Sequence, residues 1–178
     1  MSQPLNLCLL TISDSRTPDD DASGDYLAQA FAADGHILFH RAICVDDKYR
    51  IRAIVSAWIA DHDVHGIICT GGTGFTGRDS TPEALMPLLD KQMPGFGELF
   101  RQLSFTDIGT STLQSRAFAG LANAAFVCGR PGSTNAGRLA GQEIVRRQLN
   151  IAPTLTIRPG FPVRVIVTRD LVLEPYGG

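Results

Sequence analysis

Residues able to hold a phosphate and a metal ion are concentrated in one loop of this sequence. The loop spans residues 71–79 and has the sequence Gly-Gly-Thr-Gly-Phe-Thr-Gly-Arg-Asp. Because glycines let backbone amides come close to an anion, successive N–H groups in such a turn form a concave anion site. The carboxylate of Asp79 is a suitable ligand for a magnesium ion bound to a polyphosphate. The pattern therefore predicts a phosphate site, with a tight turn that binds nothing as the alternative.

Two common nucleotide-binding motifs match this loop only in part. Residues 72–77 spell G-x-G-x-x-G, but in a dinucleotide-binding fold the helix opens within that motif, which follows the first strand. Here three polar residues separate the motif from the next predicted helix, and the preceding strand is about the third. The lysine of a P-loop is missing, because Arg78 stands in its place and is followed by Asp79. A dinucleotide-dependent oxidoreductase and a P-loop enzyme are therefore the less favoured alternatives.

Polar residues also follow the other strand-like segments of the chain. Ser13 and Asp14 come after the first segment, Asp46 and Asp47 after the second, and the run Gly-Arg-Pro-Gly-Ser at 129–133 after the last. In an open α/β sheet, ligands bind outside the carboxyl ends of the strands, so we expect these loops to converge. The alternatives are that Asp46 is a helix N-cap and that 129–133 is an ordinary capped turn.

Strand-like and helix-like segments alternate along the chain and would place these loops at one edge of a sheet. Short apolar runs predict strands at 5–12, 37–45, Gly66–Thr70 and 124–128. Apolar spacing and cap signals predict helices around 26–31 and 51–59, from Pro82 with Thr81 as N-cap, from about Gly97, and over 134–149. Residues 106–115 form a polar stretch. The alternation predicts an α/β fold with a doubly wound, mostly parallel sheet and helices on both faces.

The composition indicates one domain that acts on small molecules. The chain has 178 residues and a net charge of −2, so we expect neither nucleic acid nor an anionic membrane as a partner. The N-terminus lacks a secretory pattern and no apolar run is long enough to cross a bilayer, which predicts a cytoplasmic protein. Four widely spaced cysteines predict buried, reduced thiols. We expect a single domain over 1–178, with its core at 5–149 and a C-terminal extension at 150–178 that is an edge strand or an intersubunit arm.

Four segments of the chain resemble the molybdenum cofactor biosynthesis proteins of the MoaB and MogA family. The first runs from the glycine loop through Arg-Asp-Ser-Thr-Pro-Glu-Ala at 78–84. The others are Pro-Gly-Phe-Gly-Glu-Leu-Phe-Arg at 94–101, Gly-Thr-Ser-Thr-Leu-Gln-Ser-Arg-Ala at 109–117, and Pro-Gly-Ser at 131–133. The last two are most similar to the MoaB branch. The resemblance covers about residues 5–149.

This resemblance implies a three-layer α/β/α domain that assembles as a trimer or hexamer and binds molybdopterin and, in active members, MgATP. The implied reaction is the Mg²⁺- and ATP-dependent adenylylation of molybdopterin with release of pyrophosphate. Two aspartates of active relatives match Asp79 and Asp46, which the resemblance implies are catalytic and hold Mg²⁺. Asp47 is a substitute for Asp46 if the alignment slips by one residue. The residues expected to bind substrate are Ser13, Asp14, Gly71, Gly72, Thr73, Gly74, Arg78, Ser115, Arg116, Pro131, Gly132 and Ser133.

The resemblance also defines the main alternative to an enzyme. Some relatives of the MoaB branch lack an aspartate at the position of Asp46 and do not adenylylate, so its presence here favours an active adenylyltransferase. The alternative is a protein that binds or delivers molybdopterin without transferring AMP. A mainly structural, trimer-forming module is a further alternative, and it predicts assembly without affinity for any ligand.

Overall fold

A computed structural model describes residues 4–132, in which six strands form one mixed sheet. The strands are β1 (Asn6–Ile12), β2 (Ile37–Cys44), β3 (Gly66–Thr70), β4 (Lys91–Gln92), β5 (Phe118–Ala122) and β6 (Ala125–Arg130). The α-helices are α1 (Ala22–Ala33), α2 (Lys48–Ala60), α3 (Thr81–Leu85) and α4 (Pro94–Ile108), and 3₁₀ turns cover Met86–Leu88 and Gly109–Gln114. No helix in this part of the chain is long and apolar enough to cross a membrane.

The sheet is doubly wound and mostly parallel, which confirms the predicted fold class. Its strand order is β2-β1-β3-β6-β5-β4. The pairs β1–β2, β1–β3 and β3–β6 are parallel, whereas β4–β5 and β5–β6 are antiparallel. From β1 the chain winds first to β2 on one side and then to β3 on the other. The carboxyl ends of β1 and β3 therefore flank the switch point at which such sheets bind ligands.

Helices cover both faces of the sheet and produce three layers. Along β1, Leu7 and Leu9 pack into one core with residues of α1 and α4, while Cys8 and Leu10 pack into a second core with residues of α2 and α3. Successive side chains of a strand point to opposite faces, so a strand buried on both faces must be apolar throughout. This explains the continuous apolar runs from which β1 and β3 were predicted. All four cysteines are buried and free, as expected.

The antiparallel edge of the sheet differs from the prediction. β5 was not predicted, and β6 spans Ala125–Arg130 instead of 124–128. Asn123 and Ala124 form the turn between the two strands with φ values of 46° and 66°. The turn is hard to recognise in the sequence because such tight turns usually carry glycine, whereas here the second residue is alanine.

Three helix boundaries also need correction. α3 begins at Thr81 with Ser80 as its N-cap, so Thr81 is not the cap, and α3 has only five residues. α4 begins at Pro94 rather than near Gly97, since proline suits the first helical position. The polar stretch at 106–115 is the end of α4 followed by a 3₁₀ turn. The helix predicted at 134–149 and the extension at 150–178 lie outside the described residues.

Candidate functional site

The glycine loop leaves β3 at the switch point and turns tightly against the end of β1. Gly71 has a φ of +109°, and a Cβ at this position would lie 2.1 Å from the carbonyl oxygen of Ile12. Gly72 has a φ of +61°, and its Cβ would lie 2.6 Å from Oδ2 of Asp46. Only glycine combines this backbone conformation with such close approach. Among the described residues, no group accepts a hydrogen bond from the amides of Gly72 or Thr73, so both are available to a ligand.

Asp46 binds Ser80, the residue directly after the glycine loop, and does not cap α2. Its Oδ1 accepts hydrogen bonds from the Ser80 amide at 3.1 Å and from the Ser80 hydroxyl at 2.6 Å. The N-cap of α2 is Asp47, whose Oδ1 accepts from the amides of Tyr49 and Arg50 at 3.0 Å and 2.8 Å. The interpretation of Asp46 as the helix cap is therefore wrong. Asp47 is engaged by the helix and is poorly placed to substitute for Asp46.

Asp79 is held inside the loop as a carboxylate. Its Oδ2 accepts hydrogen bonds from the Thr76 amide at 2.8 Å and from the Thr76 hydroxyl at 2.5 Å. Burial by itself raises the pKa of Asp79, but the hydrogen bonds from Thr76 and from the Gly74 amide, with the charge of Arg116, outweigh it. The pKa of Asp79 consequently lies below its usual range, and the side chain is ionised at neutral pH.

Arg116 stabilises the glycine loop by donating hydrogen bonds to its backbone carbonyls. Its Nε donates to the carbonyl of Gly74 and one terminal nitrogen donates to the carbonyl of Asp79, both at 2.7 Å. The other terminal nitrogen forms an ion pair with Glu83, and the backbone amide of Arg116 donates to the carbonyl of Thr73. Sequence analysis predicted Arg116 as a substrate contact. The structure shows that most of its guanidinium orders the loop.

Asp14 and Arg78 connect the loops that follow β1, β2 and β3. Oδ1 of Asp14 accepts a hydrogen bond from the Asp46 amide at 3.1 Å, and its Oδ2 pairs with Arg78 at 2.6 Å. Arg78 is 76% exposed, so this ion pair contributes little to stability. The pair places a cation beside Asp46, at the mouth of the site.

A polar cavity of about 280 Å³ lies at the switch point between β1 and β3. The Thr70 hydroxyl lines it, is buried, and has no hydrogen-bond partner within residues 4–132. Arg16 donates to Oγ of Ser23 at 2.9 Å, and Ser23 donates in turn to the carbonyl of Gly132 at 2.7 Å. The full lining is Thr11, Ile12, Ser13, Arg16, Ser23, Thr70 and Gly132. A cation and an unused hydroxyl in a polar cavity suit an anionic group.

Sequence analysis predicted Ser13 and Gly132 in this region but missed Arg16, Ser23 and Thr70. Arg16 lies in a polar loop whose sequence gives no sign that its side chain turns back toward the sheet. Thr70 is the last residue of an apolar strand and carried no motif. The one available signal was its position, since a hydroxyl at the carboxyl end of a switch-point strand faces the ligand side of such folds.

The buried carboxylate of Asp21 forms an ion pair with Arg16 and so holds its guanidinium in place. No part of the Asp21 side chain is exposed, and its Oδ1 lies 3.5 Å from a terminal nitrogen of Arg16. Its Oδ2 accepts from the Thr11 hydroxyl at 2.7 Å and from Arg41 at 2.9 Å, and its Oδ1 also accepts from the Gly24 amide as the N-cap of α1. Burial raises the pKa of Asp21, but these hydrogen bonds and the charge of Arg41 lower it below its usual range.

We expect Asp21→Asn to lower the free energy of unfolding at pH 7 by about 2 kcal/mol, because two arginines lose a buried charge partner. A carboxyl with a lowered pKa in the folded state stabilises the protein above its unfolded pKa, and this contribution disappears as the pH falls through the folded value. The difference between wild type and variant in urea unfolding should therefore shrink below about pH 4. Asp19→Asn, at an exposed position in the same loop, is the control. A difference that stayed constant from pH 7 to pH 3 would contradict this role for Asp21.

The remaining predicted residues lie around two further cavities. One of about 150 Å³ is lined by Ser115, Pro131, Thr73 and Gly74 together with residues of α4 and of the following 3₁₀ turn. Another, of about 400 Å³, is bordered by Asp79 and Arg116. Ser133 lies outside the described residues. The predicted site residues thus lie in the glycine loop and around three separate cavities next to it.

Two carboxylates next to the glycine loop are of the chemical type that binds magnesium together with a polyphosphate. Within residues 4–132 no group of three or more histidine, cysteine, aspartate or glutamate side chains is arranged to hold a metal. Asp46, in the loop after β2, and Asp79, in the glycine loop after β3, provide one carboxylate each. Mg²⁺ bound to a polyphosphate typically uses one or two protein carboxylates and keeps several water ligands.

These features define an α/β domain with a glycine-rich loop at the switch point of a doubly wound sheet. The chain belongs to the MoaB and MogA family of molybdenum cofactor biosynthesis proteins, whose sequence model, described as "Probable molybdopterin binding domain", matches residues 8–176. The family resemblance found in the sequence is thereby confirmed.

Individual relatives agree with this assignment. The chain is 50% identical over 147 residues to molybdenum cofactor biosynthesis protein B of Escherichia coli K12, covering 83% of this chain and 86% of the relative. The protein of the same name from Staphylococcus carnosus is 42% identical over 154 residues, which cover 84% of this chain and 89% of that relative. A crystal structure of molybdenum cofactor biosynthesis protein B superposes with a TM-score of 0.79 at 40% identity, over 83% of this chain and 92% of that one. The structure of the tungsten cofactor synthesizing protein MoaB from Pyrococcus furiosus superposes with a TM-score of 0.73 at 30% identity. The match covers 84% of this chain and 94% of that one.

Proposed function

We propose that this chain transfers AMP from MgATP to the terminal phosphate of molybdopterin and releases pyrophosphate. The observation that carries this proposal is the position of Asp46, which binds the glycine loop through Ser80 while Asp47 caps α2. With Asp79 of the glycine loop, it gives the site a second carboxylate. A protein that only binds molybdopterin has no use for two carboxylates beside a phosphate site, since their negative charge repels the ligand.

The switch-point cavity suits the phosphate of molybdopterin. Arg16 supplies the cation, and the hydroxyl of Thr70, which has no hydrogen-bond partner among the described residues, supplies a donor. Arg16 is preorganised by Asp21 and Ser23, so little side-chain entropy is lost on binding. This arrangement holds the nucleophile in a fixed orientation.

The reaction requires two anions to meet. An oxygen of the molybdopterin phosphate attacks the α-phosphorus of ATP, the bond from that phosphorus to the bridging oxygen breaks, and pyrophosphate leaves with the electron pair. No proton has to be removed, because the attacking phosphate is already anionic. The residues of this chain therefore position the two phosphates in line and offset their repulsion. When bound with ATP, Mg²⁺ would neutralise phosphate charge, and Asp46 and Asp79 would hold it.

The test is a pyrophosphate-release assay with purified protein, ATP, magnesium and molybdopterin, in which each component is omitted in turn. We expect release only in the complete mixture, together with an adenylylated pterin, and loss of both in Asp79→Asn. If molybdopterin binds tightly but no pyrophosphate forms with any nucleotide, the chain is a carrier.

We further propose that the chain works as a homo-oligomer, a trimer or a hexamer, as the family resemblance implies.

A further inference from the structure

Phe75 exposes an aromatic ring on the glycine loop that the phosphate chemistry does not explain. Its side chain is 69% exposed, although it belongs to a loop that is tightly ordered on both sides. The guanidinium of Arg116 lies over the ring, 5.4 Å from its centroid. Because Arg116 is itself fixed by two loop carbonyls and by Glu83, it supports the ring from one side. The rest of the ring is open.

The open side of Phe75 belongs to the cavity of about 400 Å³ that Asp79 also borders. Lys48, the first residue of α2, lies on the wall of this cavity. No salt bridge of Lys48 exists among residues 4–132, and its ammonium contacts the ring of Tyr49 at 4.9 Å. The other charged residues of the wall are Glu83 and Arg116, which neutralise each other, and the carboxylate of Asp79. The cavity thus combines an aromatic face, a cation without an acidic partner and a candidate magnesium ligand.

We propose that this cavity binds the nucleoside triphosphate, with its purine stacked on Phe75 and its β- and γ-phosphates beside Lys48. The proposal rests on the proposed function, because it assigns the AMP donor to one side of the glycine loop and molybdopterin to the switch-point cavity on the other. An exposed, rigid aromatic ring stacks a base without selecting its edge. The volume suits a ligand of nucleotide size. Asp79 and Ser80 both line the cavity, and the Ser80 hydroxyl donates to Asp46 at 2.6 Å.

The test measures dissociation constants for two probes in the presence of magnesium, by calorimetry on the full chain. The probes are α,β-methylene-ATP, which cannot be cleaved at the reacting bond, and tripolyphosphate, which lacks the nucleoside. We expect Phe75→Ser to weaken binding of the nucleotide about tenfold and to leave tripolyphosphate binding unchanged, since only the base loses its partner. Phe75→Tyr should retain the nucleotide affinity of wild type.

Lys48→Met should weaken the binding of both probes about tenfold, because it removes a charge-assisted contact to phosphate.

Controls separate this role from a structural one. Phe105→Ser removes another exposed phenylalanine, on α4, that lines none of these cavities, and should change neither affinity. Unchanged nucleotide affinity in Phe75→Ser, while wild type binds, would overturn the proposal and leave the adenylylation reaction standing. The same result with an altered sedimentation coefficient would identify Phe75 as a subunit contact instead.

The two proposals fail differently. Wild type that binds molybdopterin but neither probe would overturn both, because ATP could not then be the AMP donor. A tenfold loss in Phe75→Ser without any adenylylated pterin in wild type would confirm the nucleotide cavity and overturn the reaction.

Discussion

Asp46→Asn is expected to lower the rate of AMP transfer by roughly 10²–10³-fold and to leave the fold and molybdopterin binding intact. Asparagine has the same shape and keeps an acceptor for the two hydrogen bonds from Ser80. The substitution therefore removes only the negative charge. The measurement is kcat for adenylylated pterin, beside the dissociation constant of molybdopterin in the absence of nucleotide.

Asp47→Asn is the matched control for this prediction. Asparagine caps helices as well as aspartate does, so α2 should be unaffected and the turnover rate should stay near that of wild type. The two adjacent substitutions are chemically identical and differ only in where the carboxylate points. Equal losses in both variants would show that the acidic character of the loop matters and that Asp46 has no special role.

Gly72→Ala is expected to abolish turnover and to destabilise the fold by about 1–3 kcal/mol. The backbone of Gly72 has a φ of +61°, which alanine adopts at a cost. Its methyl group would also lie 2.6 Å from Oδ2 of Asp46 and 2.2 Å from Oγ1 of Thr81, so the Asp46 carboxylate must move. Urea unfolding at pH 7 measures the stability, and pyrophosphate release measures the turnover.

Gly95→Ala is the control for Gly72→Ala. Gly95 lies in the first turn of α4, and a Cβ there would meet nothing within 4 Å. Alanine should leave turnover unchanged and should stabilise the helix slightly. If Gly72→Ala kept full activity, the close approach of the loop to Asp46 would not be required for catalysis.

The parts of the fold that could be predicted are those whose burial leaves a pattern in the sequence. β1 and β3 are covered by helices on both faces, so they are continuously apolar and were predicted with nearly their observed bounds. β5 was missed because Phe118–Ala122 is short and rich in alanine and glycine, in the antiparallel part of the sheet between β6 and β4. The pairing of β5 with β6 is signalled only by their connecting turn, which lacks the usual glycine.

The residues of the candidate site also fall into those that the sequence predicts and those that only the fold reveals. The glycine loop, Asp79 and Asp46 could be predicted because glycine spacing and the family resemblance both mark them. The roles of Arg16 and Asp21 could not, because they depend on contacts between the loop after β1 and Arg41 on β2. In the sequence, Asp21 is one of three consecutive aspartates, and only the fold distinguishes the buried one from its exposed neighbours.

The most direct test of AMP transfer follows the label from ATP that carries ³²P at either the α- or the γ-position. Wild-type protein is incubated with magnesium, molybdopterin and each labelled ATP, and the pterin and pyrophosphate are then separated. We predict that α-label enters the pterin and γ-label enters pyrophosphate, in equal amounts. Label from the γ-position on the pterin, or bound molybdopterin with no transfer of either label, would contradict the account.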